Sequence, residues 1–285
     1  MKLSLEQFRA WNNKSITLLG MSGVGKTDLS ALLRRHNWFH YSSDYRIGTR
    51  YLDEYILDLI KQQAMQMPLL RELLRRDWIY IRNNIKVDDL GPVLSFVGKL
   101  GNPELGGIPL QEFEYRQALY RQAEINAMHD VPVFIEKTRR IYGYQHFIND
   151  VGGSLCELEE PGIIELLAAH TLILYIKTSS REEEEELILR AQNDPKPLYF
   201  RPGFLSQQLT AYMAKNGLQY AAEMDPSEFT RWVFPELFRA RIPRYEAIAA
   251  PHGYTVTSKE IGAVRDEADF LELMEIAIKR NSGTE

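Results

Sequence analysis

The chemistry of this chain is concentrated first in one unbroken run, Gly20-Met21-Ser22-Gly23-Val24-Gly25-Lys26-Thr27, which matches G-x-x-x-x-G-K-[ST] without a gap. Glycines at Gly20, Gly23 and Gly25 let successive backbone N–H groups, including those of Ser22 and Val24, turn inward around phosphate oxygens. A helix starting near Lys26 adds its positive end. Lys26 then reaches the β and γ phosphates, and Thr27 offers its hydroxyl to magnesium. An ordinary glycine turn is the bland alternative. The context argues against it, because Ile16 to Leu19 reads as a strand and Leu29, Leu32 and Leu33 recur at helical spacing. The expected ligands are therefore ATP and Mg2+.

Three further stations carry groups that fit phosphoryl transfer. The first, Tyr41 to Arg50, places Asp44 at the end of a second strand, with Arg46 and Arg50 just beyond it. The second, His146 to Ser154, puts Asp150 after a short apolar run and follows it with Gly152 and Gly153. There the carboxylate can join a magnesium shell, and the glycine amides can approach a phosphate or an acceptor. Only Phe147 and Ile148 are strongly apolar before Asp150, which departs from the usual Walker B pattern. The third is a basic, proline-rich stretch with Arg190, Lys196 and Arg201. Each has a structural alternative: a helix cap with surface arginines, a glycine turn with an Asp cap, and solubilising loop cations.

Taken together, these stations resemble the P-loop small-molecule kinases, such as the shikimate, gluconate and adenylylsulfate kinases. That resemblance implies Asp44 as the base toward the acceptor hydroxyl, Arg46 or Arg50 as a clamp on an anionic acceptor, and Arg201 as the lid cation that closes over the phosphates. It implies Thr27 and Asp150 as the magnesium ligands and Lys26 as the catalytic lysine. Asp150 to Gly153 also fits the D-x-x-G of GTPases, but no [NT]-K-x-D follows it. An ATPase or nucleotide-dependent switch acting on a protein partner would carry the same loop, as would an idle nucleotide-binding domain.

The elements that must position these groups alternate between strands and helices. Strands are predicted at Trp38 to Ser42, Gln145 to Asn149, Thr171 to Lys177 and Tyr254 to Thr257, with helices between them. The pattern predicts an α/β fold: a P-loop NTPase parallel sheet flanked by helices, with a large, mostly helical insertion between the second and third strands. Residues 1–50 and 144–285 form the expected nucleotide-binding core, and 51–143 the insertion for an acceptor or partner. Within the insertion, helices are predicted at Tyr51 to Met67, Leu69 to Ile85 and Leu110 to Met128, with a shorter one capped by Asp130. Gly91 to Pro109 reads as a loop. The stripe through Tyr51, Tyr55, Leu59 and Trp78 to Ile81 reads as helix core. A run of acidic residues, Glu182 to Glu186, follows a capping box at Ser180 and reads as a solvated face near a helix's positive end.

Composition narrows the class. A formal net charge of −5 without a long Lys/Arg run argues against nucleic acid as a partner. The single Cys156 allows no internal disulfide and reads as a small core residue, and the six His residues show no zinc spacing. Ile163 to Ile176 is too short and too interrupted to span a membrane. The expectation is a cytoplasmic protein that binds a nucleotide and a small acceptor, with no membrane partner. Nothing in the sequence fixes its oligomeric state.

Overall fold

A computed structural model describes residues 2–282. In chain order the regular elements are α1 (Leu5–Ala10), β1 (Ser15–Leu19), α2 (Lys26–Leu33), β2 (Trp38–Ser42), α3 (Ser43–Arg46), α4 (Asp53–Ala64), α5 (Pro68–Arg75), α6 (Gly91–Val97), α7 (Leu110–His129) and α8 (Val131–Arg140). They continue with β3 (His146–Asp150), α9 (Pro161–His170), β4 (Leu172–Lys177), α10 (Arg181–Asn193), α11 (Pro202–Asn216), α12 (Pro226–His252), β5 (Gly253–Thr257), α13 (Ser258–Gly262) and α14 (Glu267–Ser282). A turn of π-helix joins α3 to α4 at Ile47–Tyr51.

The five strands form one sheet in the order β2-β3-β1-β4-β5, and every pairing is parallel. With its glycine loop after β1, this is the P-loop α/β fold. β1 and β3 are buried at every position and β4 at all but its last, as expected where helices cover both faces of a parallel sheet. The edge strand β2 shows how the two faces are filled. Trp38 is fully buried, sits edge-on to Phe270 of α14 at 5.7 Å and donates its indole N–H to Glu267 at 2.7 Å. Phe39 and Tyr41 point the other way, onto Phe134 of α8 and Phe147. Among the described residues no helix is long and apolar enough to cross a membrane.

The chain separates into two compact units. The first joins the residues up to Ser43 with Ile125–Pro195 and those from Arg231 onward, and it holds the whole sheet. The second comprises Asp44–Glu124 and Lys196–Thr230. Compared with the expected insertion at 51–143, it begins at Asp44, leaves α8 to the first unit and gains the Lys196–Thr230 segment. Inside the second unit, Gln117 of α7 holds that segment by accepting from Phe200 N at 2.8 Å and donating to Leu198 O at 3.1 Å.

Three local expectations are corrected. The helix read over Leu69 to Ile85 stops at Arg75, because Asp77 adopts a left-handed backbone with φ +55°. The aromatic residues after it are not core, since Trp78 is 64% and Tyr80 84% exposed. Gly91 to Pro109 is not a plain loop. Pro92 sits in the first turn of α6, where its missing N–H costs nothing, and Val93, Phe96 and Val97 are buried. A further short helical turn follows at Pro103–Leu105.

Candidate functional site

The loop after β1 is shaped by what its glycines permit. A Cβ on Gly20 would lie 2.4 Å from the backbone oxygen of Ile176, so only glycine lets the loop leave β1 pressed against β4. Gly23 and Gly25 hold φ of +93° and +95°, in the region that disfavours side chains, and Gly25 is the N-cap of α2. As at any helix start, the first amides of α2 have no intrahelical acceptor, and Gly25 has no side chain to cap them. The Lys26 ammonium is buried and donates to Gly20 O and Met21 O, both at 2.8 Å, so the cation is fixed at the loop it would serve.

Asp150 reaches the same place from β3. Its neighbours in register are Leu18 on β1 and Ser42 on β2, so it stands at the carboxyl end of the sheet beside the loop. Thr27 Oγ1 donates to Asp150 Oδ2 at 2.9 Å. The weak apolar run before this aspartate has a physical explanation. Asn149 is fully buried but donates to Thr17 Oγ1 at 3.2 Å, and Thr17 and Thr171 share a hydrogen bond of 2.8 Å. Polar contacts from β3 through β1 to the residue before β4 thus replace an apolar contact. The hydroxyl and the carboxylate are hard oxygen donors of the kind magnesium takes, and they fit the ion.

Gly152 N donates to Ser43 Oγ at 3.2 Å. A Cβ on Gly153 would sit 3.5 Å from Ser22 N and 3.5 Å from Nη1 of Arg241, which brings the second glycine turn against the start of the phosphate loop. Arg241 and Tyr245 lie on α12, and no sequence motif marked them. Tyr245 is fully buried, donates to Gly153 O and stacks on Tyr175 at 5.5 Å. Burial raises its phenol well above the usual range, so it stays a hydroxyl and acts as a strut. Burial likewise pushes the Cys156 thiol up to about 12, which suits a core residue and not a nucleophile.

A second cation meets the loop from α10. Nη2 of Arg190 lies 2.0 Å from where a Cβ on Gly23 would be, so the guanidinium rests on the bare face of that glycine. Arg201, preferred from the sequence, belongs to the second unit, as do Asp44, Arg46 and Arg50. There Asp44 Oδ1 accepts a long hydrogen bond, 3.4 Å, from Tyr120, Arg46 lies over Tyr51 at 5.6 Å and Arg201 over Phe204 at 5.8 Å. The first unit therefore brings together Lys26, Thr27, Asp150, Gly152 and Gly153.

Beyond the loop, a cleft of about 600 Å³ opens between α2, the turn after β4 and α13, with Val24, Leu29 and Ile261 as its apolar wall. Its polar wall is built by Glu183, whose Oε2 accepts from Ser179 N and Ser258 Oγ, both at 2.6 Å. Ser179 Oγ also accepts from Lys259 N at 2.9 Å. One member of the acidic run thus ties the turn after β4 to the turn after β5. Glu182 beside it is fully exposed, and backbone hydrogen bonding at the helix start lowers its pKa.

No family model matches the chain, and no curated protein matches it. Solved structures similar to it include the shikimate kinase from Bacteroides thetaiotaomicron, at 16% identity and a TM-score of 0.37, covering 94% of this chain and 97% of that one. Another is the shikimate kinase from Acinetobacter baumannii in complex with shikimate, at 15% identity and a TM-score of 0.39, covering 96% of each chain.

Proposed function

We propose that this protein is a P-loop kinase that transfers the γ-phosphoryl group of ATP to a small, anionic acceptor. The observation that carries the reading is the hydrogen bond from Thr27 Oγ1 to Asp150 Oδ2 at 2.9 Å, beside a loop in which Gly23 and Gly25 hold positive φ. When bound, magnesium neutralises charge on the β and γ phosphates. Thr27 and Asp150 would hold it. Lys26 and the loop amides bind and orient the triphosphate, and the cleft lined by Val24, Leu29 and Ile261 is of a size for the nucleoside.

In this reading the acceptor oxygen forms a bond to the γ phosphorus, the bond from phosphorus to the β–γ bridging oxygen breaks, and ADP leaves. The acceptor's hydroxyl proton passes to Asp44, which follows β2 by two residues. Arg46 and Arg50 are assigned to the acceptor's negative charge, and Arg201 to closure over the phosphates. Arg190 and Arg241 add two cations beside Gly23 and Gly153, and fixed cations aimed at developing charge are the main lever in phosphoryl transfer. The test is acceptor-stimulated ADP release across a panel of small anionic hydroxyl compounds, with Lys26→Ala as control. A compound that accelerates release only in the wild type supports the kinase, and a panel without any such compound removes it.

One feature favours a second reading, an ATP-driven switch with a protein partner. The second unit leaves Trp78 and Tyr80 largely in solvent, a composition typical of contact surfaces. A switch would hydrolyse ATP slowly without an acceptor and would gain affinity for a protein in one nucleotide state.

A further inference from the structure

The nucleotide-binding reading leaves one buried titratable side chain at the site without a role. His40 lies on β2 opposite Ile148, on the same side of the strand as Trp38 and Ser42. Its side chain is only 3% exposed, and Nε2 stands 3.5 Å from Asp150 Oδ2, whose own side chain is 9% exposed. Among the described residues Nε2 makes no hydrogen bond. A buried polar nitrogen left in that condition is unfavourable, and its retention calls for an explanation. Packing alone does not supply one, since the neighbouring Trp38 on the same face would sit equally well beside an apolar side chain.

We propose that His40 is a positioning residue of the divalent-cation site, holding the Asp150 carboxylate in place through Nε2–H. The inference rests on the assignment of Thr27 and Asp150 to the metal. Asp150 Oδ2 already accepts from Thr27 Oγ1 at 2.9 Å, so hydroxyl and imidazole converge on one carboxylate oxygen. A shift of well under an ångström turns the 3.5 Å approach into a charge-assisted hydrogen bond of ~2.8 Å. Carboxylates that ligate metals are commonly held this way, which fixes their direction and raises their affinity for the ion. β2 is the edge strand, so no further strand supplies that hydrogen bond from the outer side.

The test uses the full chain with Mn2+ as probe and a non-hydrolysable ATP analogue. Bound Mn2+ is followed by electron paramagnetic resonance, and analogue affinity without metal by calorimetry. His40→Leu is expected to weaken Mn2+ binding by ~10- to 100-fold. Metal-free analogue affinity should stay within about twofold of wild type. His40→Gln, which can present an N–H near the same place, should restore most of the Mn2+ affinity. If His40→Leu does not fold, His40→Asn, too short to reach Asp150, replaces it with the same expectation. Unchanged Mn2+ affinity, a parallel loss of metal-free binding, or a Gln variant as poor as Leu each overturns the assignment. A wild type that takes up neither analogue nor Mn2+ refutes the nucleotide reading and the assignment together, whereas a wild type and a His40→Leu variant that bind both equally well refute the assignment alone.

Discussion

Replacing Gly23 by alanine perturbs the phosphate loop in two separable ways. Gly23 holds φ +93°, and placing an L side chain in a left-handed conformation costs roughly 1–2 kcal/mol. The new methyl would also meet Arg190 Nη2 at 2.0 Å and Leu187 Cδ2 at 3.0 Å, so the guanidinium must leave its seat. If the backbone cost appears as lost binding because the loop relaxes away from the phosphate, affinity for ATP falls by about five- to thirtyfold. Displacement of Arg190 adds to this in the wild-type background only. In an Arg190→Ala background the methyl enters space already cleared on that side, so the alanine penalty should be smaller by ~0.5–1 kcal/mol, the coupling expected of groups in contact. Calorimetric titration of the four proteins with a non-hydrolysable ATP analogue and magnesium measures each term. Binding by Gly23→Ala within about twofold of wild type, or an equal penalty in both backgrounds, would refute the account of how loop and α10 fit together.

Three other outcomes follow from the same geometry. Arg241→Met should leave nucleotide affinity within a few fold while cutting turnover by ~100-fold or more, the usual loss when one cation or donor facing the reaction is removed, as read from kcat and from analogue titration. Asp44→Asn should bind ATP normally and lose phosphoryl transfer. Full-rate transfer by that variant, in the acceptor assay, would remove Asp44 as the base. The third outcome concerns pH. The hydrogen bond from Arg280 holds Glu260 down to about 2, against an ordinary value of 4.5, with Thr257 N and its hydroxyl as further donors. A carboxyl depressed on folding stabilises the protein fully above its unfolded pKa and loses that contribution as pH falls toward the folded one. The stability difference between wild type and Glu260→Gln, from urea unfolding, should therefore be full above about pH 5, shrink below about 4.5 and vanish near 2. A difference independent of pH would mean that the Glu260–Arg280 pair does not brace α13, which lines the cleft.

The fold was legible because its signals are local. Strands buried on both faces, such as Leu172–Lys177, read as continuous apolar runs, and the phosphate loop is a contiguous motif with a strand before it and a helix after it. The difficulties arose where tertiary contacts set the outcome. Asn149 weakens the apolar run before Asp150, yet its donor is met by Thr17 on the next strand, a partner 132 residues away. Proline and glycine density from Gly91 to Pro109 reads as a loop, whereas Glu236 to Ala250 reads as a helix despite Pro243. Pro92 instead opens a helix, and Pro235, Pro243 and Pro251 lie inside one. Arg241 and Tyr245 carry no local motif, and Tyr245 meets its partner Gly153 across 92 residues of chain. The density of Arg, Pro and Tyr from Arg241 to Tyr245 is the one signal that could have drawn attention to them. Arg190 was visible as a cation in the right stretch, but only the bare face of Gly23 distinguishes it from Arg201 as a neighbour of the loop.

The central claim is that the loop from Gly20 to Thr27 grips a triphosphate together with a divalent ion. Isothermal calorimetry of the wild type and of Lys26→Ala with ATP, in the presence and absence of magnesium, addresses it most directly. The account predicts a saturable single-site heat for the wild type, strengthened by magnesium and lost or greatly reduced in Lys26→Ala. Folded wild-type protein that takes up neither ATP nor GTP, with or without magnesium, would contradict it.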